Sequence, residues 1–265
     1  MNEFRLDGKV ALISGSARGL GAAMAETLAE GGAKIVIADI LTKEGEETAA
    51  KLGGSNAMFV KLDVTKESDW EAAIAAAVKR FGGIDVVVNN AGIESIALLA
   101  DCTLEDFNRS LNVNTTGTFL GIKHAIRAMR PNGISGRGGS IVNISSIAGL
   151  KGSPAAGAYG ASKSAVRMLT KVAAIECGRF NYGIRVNSIH PGFVKTEMGS
   201  KLLKDCVDLG LMPDEATAEA AFIGAHLLGF GRPQDIANGV YFLASDAGKW
   251  ITGIELSIDG GYFAA

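Results

Sequence analysis

Tyr159 and Lys163 form a pair whose residue types and spacing could transfer a proton. Residues four apart on an α-helix lie on the same face, so the phenol and the ammonium group can be neighbours. A free phenol has a pKa of about 10 and needs a nearby cation to act as an acid or base closer to neutral pH. The pair therefore predicts acid–base chemistry, although an ordinary solvated helix face can carry the same two residues.

A glycine-rich segment near the start of the chain has the composition of a phosphate-binding loop. Gly15, Gly19 and Gly21 follow a short apolar run, and a helix is predicted to begin among them. Glycines allow backbone N–H groups to approach a pyrophosphate, and the N-terminus of a helix favours its negative charge. The spacing is GxxxGxG rather than GxGxxG. The loop predicts a dinucleotide site only in combination with its surroundings.

Asp39 is the second feature that indicates a dinucleotide site. It lies at the end of the next predicted strand, eighteen residues after Gly21. A carboxylate there can accept hydrogen bonds from the adenosine ribose hydroxyls. It would also repel the 2′-phosphate of NADP, and neither Ile40 nor Leu41 adds a cation. The position favours NAD. The alternative is a solvated acid at the end of a strand.

Short apolar runs alternate along the chain with segments of helical period, as is typical of βα units on a parallel sheet. Seven strands are predicted, at Val10–Ser14, Lys34–Ala38, Ala57–Leu62, Ile84–Asn89, Ser140–Ile144, Ile184–Ile189 and Glu255–Ile258. Helices are predicted at Leu20–Glu30, at Trp70–Phe81, around Leu104–Met129, at Ala161–Arg179 and at Pro233–Leu243.

Several predicted strands are apolar on both faces, which indicates helices on both sides of the sheet. No linker interrupts the series. The sequence therefore predicts an α/β fold, a single Rossmann-type doubly wound domain over residues 1–265 with about seven parallel strands. The segment 197–230 breaks the rhythm, and a long segment between two strands is commonly a lid over a binding site. A pair of ordinary surface helices is the alternative.

Composition excludes several classes of function. The net charge is −2 with no basic block, so neither nucleic acid nor a membrane surface is an expected partner. Hydrophobic residues make up 48% of the chain and charged residues 20%, which fits a globular protein with a large core. The opening apolar run is too short for a signal peptide or a spanning helix. A cytoplasmic location is expected.

Cysteines and histidines are few and far apart in the sequence. The three cysteines form no CxxC pair, and the three histidines form no HExxH-type motif. This spacing predicts neither a disulfide framework nor a metal site, and packing is the ordinary role for such residues.

Four further motifs stand where strands are predicted to end, the edge at which open α/β sheets bind ligands. They are Asp63-Val64, Asn89-Asn90-Ala91-Gly92, Ile144-Ser145-Ser146 and His190-Pro191-Gly192. Taken in order with Tyr159-Gly160-Ala161-Ser162-Lys163, they closely resemble the short-chain dehydrogenase/reductase family. The resemblance extends from about Leu6 to Gly261 and is nearest to the NAD-dependent hydroxysteroid and cyclic secondary-alcohol dehydrogenases.

The resemblance implies a set of catalytic residues. Tyr159 would donate or remove the proton on the substrate oxygen, and Lys163 would lower the pKa of Tyr159 and hold the nicotinamide ribose. Ser146 would orient and polarise the substrate oxygen, with Ser145 as the competing strand residue. Asn114 would hold a proton-relay water, with Asn112 as its near competitor.

The resemblance also implies which residues bind the cofactor and the substrate. The implied cofactor contacts are Gly15, Arg18, Gly19, Leu20, Gly21, Asp39, Asp63, Val64, Asn89, Ala91, Gly92, Tyr159, Lys163, Pro191, Gly192, Val194 and Thr196. The implied substrate contacts are Ile93, Glu94, Ser146, Ser153 and Tyr159. No metal is expected.

The predicted activity is therefore hydride transfer between NAD(H) and a hydrophobic secondary alcohol or ketone, an alcohol dehydrogenase or ketone reductase of the EC 1.1.1 type. Apolar residues of the segment 197–230 are expected to line the pocket, with Glu94 meeting a substrate hydroxyl or facing water. The alternatives are an acyl-thioester ketoreductase of the same family and a catalytically silent dinucleotide sensor or scaffold. Family members are commonly homotetramers, and the same assembly is expected here.

Overall fold

The computed structural model describes residues 3–264, so residues 1, 2 and 265 of the predicted domain range lie outside the described part. Seven parallel strands form one sheet in the order β3-β2-β1-β4-β5-β6-β7. They are β1 (Val10–Ser14), β2 (Lys34–Asp39), β3 (Ala57–Lys61), β4 (Val86–Asn89), β5 (Gly139–Ile144), β6 (Ile184–Pro191) and β7 (Glu255–Ile258). The strand order reverses between β1 and β4, and ligands of doubly wound sheets bind at such a switch point.

Nine α-helices lie in the described range. They are α1 (Gly19–Glu30), α2 (Thr42–Lys51), α3 (Glu67–Phe81), α4 (Leu104–Ser110), α5 (Gly117–Met129), α6 (Gly157–Arg179), α7 (Glu197–Asp208), α8 (Glu215–Ala225) and α9 (Pro233–Ala244). A π-helical turn, Leu111–Thr116, joins α4 to α5, and a 3₁₀ turn, Ile147–Gly149, follows β5.

Each face of the sheet is buried under its own group of helices. On one face α3, α5 and α6 pack on the strands through side chains such as Trp70, Met129 and Cys177. On the other face α1 and α9 pack through Leu28 and Val240. The central strands are buried throughout, which is why their sequences are apolar on both sides. The predicted doubly wound α/β fold is confirmed.

Several observed elements begin a few residues away from their predicted bounds, and two larger differences concern α2 and the region around Leu104–Met129. The helix α2 was not predicted, because its sequence TKEGEETAAK has too few apolar residues to show a helical period. The helical region around Leu104–Met129 is α4, the π-helical turn and α5 in succession. A π-helical turn adds a residue to the helical repeat and frequently occurs at functional sites.

The segment 197–230 contains α7 and α8. Its apolar side chains make a small core of their own, in which Leu203 and Ala218 pack with Phe193 and with the partly buried Leu202, Met212, Phe222 and Phe230. The segment is thus a folded unit that lies beside the carboxyl end of β6. No helix within residues 3–264 combines the length and the apolar character needed to cross a bilayer.

Candidate active site

The glycine loop lies at the switch point between β1 and β4. Gly15 has φ +65°, and a Cβ on it would lie 2.7 Å from Cα of Ala91. A Cβ on Gly21 would lie 2.2 Å from the carbonyl oxygen of Gly15. Only glycine allows these approaches, so the loop folds back closely over the start of α1. The backbone cradle has the form that a pyrophosphate requires.

Asn90 fastens this loop, and the sequence did not single it out as a site residue. Its Nδ2 donates to the carbonyl oxygens of Ser14, at 3.0 Å, and Gly15, at 2.9 Å. The Ser14 hydroxyl oxygen in turn accepts from the backbone N–H groups of Asn90 and Ala91, at 3.1 and 3.2 Å. The only sequence signal was its place in the strand-end motif after β4.

The N-terminus of α1 carries no side-chain cap among the described residues. The first N–H groups of a helix lack intrahelical partners, so here they are available to an anion. Arg18, the residue before α1, reaches across to the first residue of α7, and its guanidinium lies 2.5 Å from the Glu197 carboxylate. This exposed ion pair joins the glycine loop to the segment 197–230.

Asp39 lies at the carboxyl end of β2 and is buried. Its Oδ2 accepts from the backbone N–H of Ala17 at 3.0 Å, and its Oδ1 accepts from that of Leu41 at 3.1 Å. A carboxylate offers about four lone-pair sites, so each oxygen keeps capacity for a further donor. The next side chain, Ile40, is 59% exposed and brings no positive charge. These residues fit a ribose with free hydroxyls.

The two other predicted adenosine contacts have partners within the protein. The Asp63 carboxylate accepts from the Thr65 hydroxyl at 2.7 Å, and this bond is the main reason that its pKa lies below the usual value. Val64 is buried, and its carbonyl oxygen accepts from the Trp70 indole at 3.1 Å. Both lie beyond β3, on the same half of the sheet as Asp39.

The side chain of Asn89 is turned into the core rather than toward the switch point. It is 2% exposed, and its Nδ2 donates to Oδ1 of Asn143 at 2.7 Å. A Cβ on Gly121 would lie 1.9 Å from its Oδ1, so α5 covers it closely. The predicted contact of Asn89 with the cofactor can therefore involve only its backbone.

Tyr159 and Lys163 lie in the first two turns of α6, as the spacing predicted. The Lys163 ammonium is 5.7 Å from the centre of the Tyr159 ring. Lys163 is 4% exposed, and its Nζ donates to the carbonyl oxygen of Ile144 at 2.9 Å. The end of β5 thus fixes the lysine beneath the tyrosine.

Ser146 is the serine of the pair that faces the site. Its hydroxyl oxygen accepts from the backbone N–H of Ala148 at 3.1 Å, and its hydroxyl is hydrogen bonded to Tyr159. Its neighbour Ser145 instead donates to the carbonyl oxygen of Lys163 at 2.9 Å. The backbone of Ser146 is held by His190, whose Nδ1 lies 3.0 Å from its carbonyl oxygen.

Asn114 is fully buried in the π-helical turn, whereas its competitor Asn112 is exposed. The Asn114 Oδ1 accepts from the backbone N–H of Ile93 at 2.8 Å, and its Nδ2 donates to the Ile93 carbonyl oxygen at 2.9 Å. Nδ2 also donates to Oγ of Ser162 at 2.9 Å. One amide thus ties the loop after β4 to α6.

Gly92 marks the point where these elements meet. A Cβ on Gly92 would lie 3.0 Å from Oδ1 of Asn114 and 3.3 Å from Nζ of Lys163. The predicted residues Tyr159, Lys163, Ser146 and Asn114 are therefore brought together around the carboxyl ends of β4 and β5.

The buried groups of this cluster shift the protonation of one another. Burial, and then the negative charge of Glu94, raise the pKa of Tyr159 well above its usual value, while the hydrogen bond with Ser146 lowers it. Burial lowers the pKa of Lys163 to about 8, opposed by Glu94. Burial and then the negative charge of Asp205 raise the pKa of Glu94 to about 7, opposed by the positive charges of Lys201 and Lys163.

Burial and Glu94 have the largest effects on the pKa of Tyr159 in this structure, and the predicted effect of Lys163 on that pKa stays a prediction. The ammonium donates to Ile144, and burial together with Glu94 dominates the environment of the phenol. The tyrosine is therefore held in its protonated form, which is the form that can donate a proton.

The clamp after β6, made of the predicted cofactor contacts Pro191, Gly192, Val194 and Thr196, is held by backbone bonds to β7 and by a helix cap. Pro191 pairs with Ile258 on β7, and the Gly192 N–H donates to the Ile258 carbonyl oxygen at 3.0 Å. Val194 is buried, and the Thr196 hydroxyl oxygen caps α7 by accepting from the Gly199 N–H at 3.2 Å.

His226 anchors the segment 197–230 to this clamp, a role that its isolated place in the sequence did not reveal. Its Nδ1 lies 2.6 Å from the Phe222 carbonyl oxygen, and its Nε2 lies 3.0 Å from the backbone nitrogen of Phe193. Since that N–H must donate to Nε2, the ring is neutral and carries its proton on Nδ1.

A cavity of about 250 Å³ opens between the loop after β4, α4 and α7. Its lining is mostly charged and comprises Glu94, Ser95, Ile96, Asp106, Arg109, Lys201, Asp205, Asp208 and Leu209. Few apolar side chains line this cavity: within the segment 197–230, residues such as Leu203 and Phe222 pack in their own core, whereas Leu227 and Leu228 are exposed. Ile93 and Glu94 lie at the site, whereas Ser153 is exposed on the loop before α6.

Glu67, Glu71 and His124 are the one group among the described residues that brings possible metal ligands within 4.8 Å. Glu67 is already engaged there, because Lys123 donates to its Oε1 at 2.5 Å and Nε2 of His124 lies 3.0 Å from the same atom. Glu67 Oε1 thus already has a cationic partner in Lys123.

Comparison with known proteins places the chain in a family. The family model described as enoyl-(acyl carrier protein) reductase matches residues 15–263. The chain is 44% identical to trans-4-hydroxycyclohexanecarboxylate dehydrogenase of Sinomonas cyclohexanicum, over 97% of this chain and 93% of that protein. It is 46% identical to 3-alpha-(or 20-beta)-hydroxysteroid dehydrogenase of Mycobacterium tuberculosis (strain ATCC 25618 / H37Rv), over 98% of this chain and 91% of that protein.

A solved structure agrees with these relatives. The gluconate 5-dehydrogenase of Burkholderia cenocepacia J2315, in complex with NADP and tartrate, superposes with a TM-score of 0.88 and is 34% identical, covering 100% of this chain and 98% of that chain. The chain therefore belongs to the short-chain dehydrogenase/reductase family. Members of this family are oxidoreductases that use a nicotinamide dinucleotide and act on secondary alcohols or ketones.

Proposed function

We propose that this protein is an NAD-dependent dehydrogenase or ketone reductase that transfers a hydride between NAD(H) and a secondary alcohol or ketone on a hydrophobic skeleton. The observation that supports this most strongly is the convergence of Tyr159, Lys163, Ser146 and Asn114 beside Gly92. These groups surround one point at the carboxyl edge of the sheet, next to a loop that fits a pyrophosphate.

Tyr159 and Ser146 act on the substrate oxygen in this proposal. The phenol is held protonated by burial, so in reduction it donates its proton to the carbonyl oxygen as negative charge develops there. The Ser146 hydroxyl, already hydrogen bonded to Tyr159, orients that oxygen. In oxidation the same tyrosine receives the proton from the alcohol.

Lys163 and Asn114 support that proton transfer, the first by supplying a proton and the second by positioning the neighbouring loop and a water. A buried ammonium with a pKa of about 8 can release a proton near neutral pH, so Lys163 can resupply the proton that Tyr159 donates. The Ile144 carbonyl oxygen fixes the position of this ammonium. Asn114 keeps the loop after β4 against α6 through its bonds to Ile93 and Ser162. With its place beside Lys163, the amide is suited to hold a proton-relay water.

The cofactor would lie along the switch point, where backbone groups of the glycine loop and of α1 would bind it. The glycine loop and the N-terminus of α1 would hold the pyrophosphate, and Asp39 would accept from the adenosine ribose hydroxyls. When bound, the nicotinamide supplies the group that gives or takes the hydride. The rest of the cofactor site would be lined by Asp63, Val64, Pro191, Gly192, Val194 and Thr196.

We expect NADH to be strongly preferred over NADPH because Asp39 repels a 2′-phosphate and Ile40 offers no charge to offset it. The variant Ile40→Arg places a cation at an exposed position without disturbing the bonds of Asp39 to the loop. It should raise kcat/KM with NADPH by up to about 5-fold and change the value with NADH little, since an exposed charge pair contributes up to about 1 kcal/mol.

The measurement is steady-state rates with both dinucleotides over a panel of cyclic ketones and alcohols. A wild-type preference for NADPH would contradict the choice of NAD and favour the acyl-thioester ketoreductase alternative, which a β-ketoacyl thioester in the panel tests directly. Dinucleotide binding without turnover on any member of the panel would favour the silent sensor or scaffold.

Two broader features complete the proposal. The segment 197–230 acts as a substrate lid, supported by its position beside the site and by the Arg18–Glu197 ion pair that joins it to the glycine loop. The protein works in the cytoplasm, which the three free cysteines of the described chain support.

The protein also works as a homotetramer. Support comes from an exposed apolar stripe on α6, formed by Met168, Val172 and Ile175.

A further inference from the structure

The carboxyl group of Glu94 is a buried polar group without a partner. Its Oε2 is shielded from solvent and makes no hydrogen bond to any described residue. Glu94 is also fixed in place, because both backbone groups of the preceding residue, Ile93, are bonded to Asn114. Leaving a buried oxygen without a hydrogen bond is unfavourable, so its presence at a fixed position points to a partner that arrives with a ligand.

The cations around Glu94 are already engaged. Arg109 lies 2.9 Å from Asp106, and Lys201 is paired with Asp205 one turn further along α7. Asp208, another lining residue, is paired with Lys204. The described lining of the cavity carries four carboxyl groups and two cations. Its charge is therefore biased toward negative, which disfavours an anionic ligand.

Glu94 faces both the cavity and the catalytic cluster. It lines the cavity between the loop after β4 and α7, and its charge acts on Tyr159 and Lys163. A molecule whose reacting oxygen lies at Tyr159 would place a more distant part against Glu94. A carboxyl group with a pKa of about 7 accepts a hydrogen bond when charged and can donate one when protonated, which suits a hydroxyl group in either state.

We propose that Glu94 is a specificity-determining residue that binds a second hydroxyl of the substrate, so that the preferred substrates are neutral diols or hydroxy ketones rather than simple alcohols or hydroxy acids. The inference rests on the proposed function, because it takes Tyr159 as the group at the reacting oxygen. It names the substrate class through the one buried oxygen of the cavity lining whose partner is missing from the described chain.

Three substrates on the same ring test this proposal in the oxidative direction. They are cyclohexanol, trans-1,4-cyclohexanediol and trans-4-hydroxycyclohexanecarboxylate, assayed with NAD for kcat/KM. The wild-type protein should rank the diol first and the carboxylate last. Glu94→Leu removes a charge that acts on Tyr159 and Lys163, so it can change both rates, but the ratio of kcat/KM for the diol to kcat/KM for cyclohexanol should fall about 10- to 100-fold, since a hydrogen bond to a charged group contributes about 1.5–3 kcal/mol.

Two further variants separate recognition from damage to the fold. Glu94→Gln keeps the shape and one acceptor oxygen, so it should retain part of the preference for the diol even if Glu94→Leu folds poorly. Glu105→Gln removes an exposed carboxylate of α4 that does not line the cavity, and it should leave all three rates unchanged.

Equal losses on cyclohexanol and the diol in both Glu94 variants would overturn the proposal and make Glu94 a structural residue. A wild-type preference for the carboxylate would overturn it as well, because the cavity would then attract an anion. Absence of turnover with every substrate and both dinucleotides would instead count against the proposed function itself, and the inference would fall with it.

Discussion

At the scale of single residues, three titratable groups dominate the electrostatics of the candidate site: Lys163 is buried, and Tyr159 and Glu94 are half-buried. Tyr159, Lys163 and Glu94 lie within reach of one another's charge, and burial opposes ionisation in each of them. The phenol stays protonated, while the ammonium and the carboxyl group titrate near neutral pH. The cluster can therefore exchange a proton without accumulating net charge, which suits a step in which a proton and a hydride move together.

Glu94 should make the stability of the protein depend on pH. Its pKa rises from 4.5 when unfolded to about 7 when folded, so the folded state favours the protonated form. That contribution is fully present below pH 4.5 and is lost as the pH rises through about 7. Glutamine does not titrate, so the stability of Glu94→Gln does not share this loss. The free energy of unfolding of the variant minus that of the wild type should therefore be roughly 1–3 kcal/mol larger at pH 8 than at pH 5.

Urea unfolding of both proteins at the two pH values measures this difference. The exposed variant Glu105→Gln serves as the control and should show the same offset at pH 5 and pH 8. A pH-independent offset for Glu94→Gln would contradict the buried, raised pKa of Glu94.

Sequence reasoning reached the residues whose signal is local. The glycine loop, Asp39 and the Tyr159/Lys163 spacing are recognisable because each combines a strand end with a short motif. Asn90 and His226 were missed, since their partners depend on the folded arrangement: Asn90 bonds to Gly15 in the loop after β1, and His226, in the segment 197–230, bonds to Phe193 just after β6.

At the scale of elements, the π-helical turn 111–116 determines which asparagine reaches the site. Its geometry buries Asn114 and leaves Asn112 in solvent. The helical period predicted a continuous helix here, because a period analysis assumes 3.6 residues per turn and does not detect an added residue. The strands were predicted more closely, because burial on both faces leaves a continuous apolar run in the sequence.

Asn114→Asp tests the role of this turn. Aspartate keeps the acceptor for the Ile93 N–H but cannot donate to the Ile93 carbonyl oxygen or to Ser162. The variant should lose about 1–3 kcal/mol of stability because a buried acceptor loses its donor. Its kcat should fall about 10-fold or more as the loop after β4 loosens.

Asn112→Asp is the matched control, since the residue lies in the same turn but is exposed. Denaturant unfolding and steady-state kcat are measured for both variants. Similar effects at the two positions would show that the turn, and not the Asn114 bonds, accounts for the loss.

At the scale of the whole molecule, the sheet is buried on both faces, but α6 leaves an apolar stripe in solvent. Met168, Val172 and Ile175 lie on one face of the helix and are 56%, 46% and 56% exposed. Contiguous exposed apolar surface on a helix is typical of a protein interface. Because α6 also carries Tyr159 and Lys163, assembly through this face would hold the catalytic helix in place.

If the proposed homotetramer forms through this face, Val172→Glu should break it, because a charge in the middle of an apolar interface cannot be paired there. Light scattering after size exclusion measures the mass of the particle. Ala50→Glu, an exposed position on α2, is the control and should leave the mass unchanged. A tetramer that survives Val172→Glu would place the interface elsewhere.

The central claim is that Tyr159 transfers the proton, and Tyr159→Phe tests it most directly because only the phenolic hydroxyl is removed. Fluorescence titration should show NADH binding close to that of the wild type, since the glycine loop and Asp39 are untouched. Turnover of a ketone that the wild type reduces should fall about 10²–10⁴-fold, the contribution of general acid–base catalysis. Near wild-type turnover with normal NADH binding would contradict the mechanism.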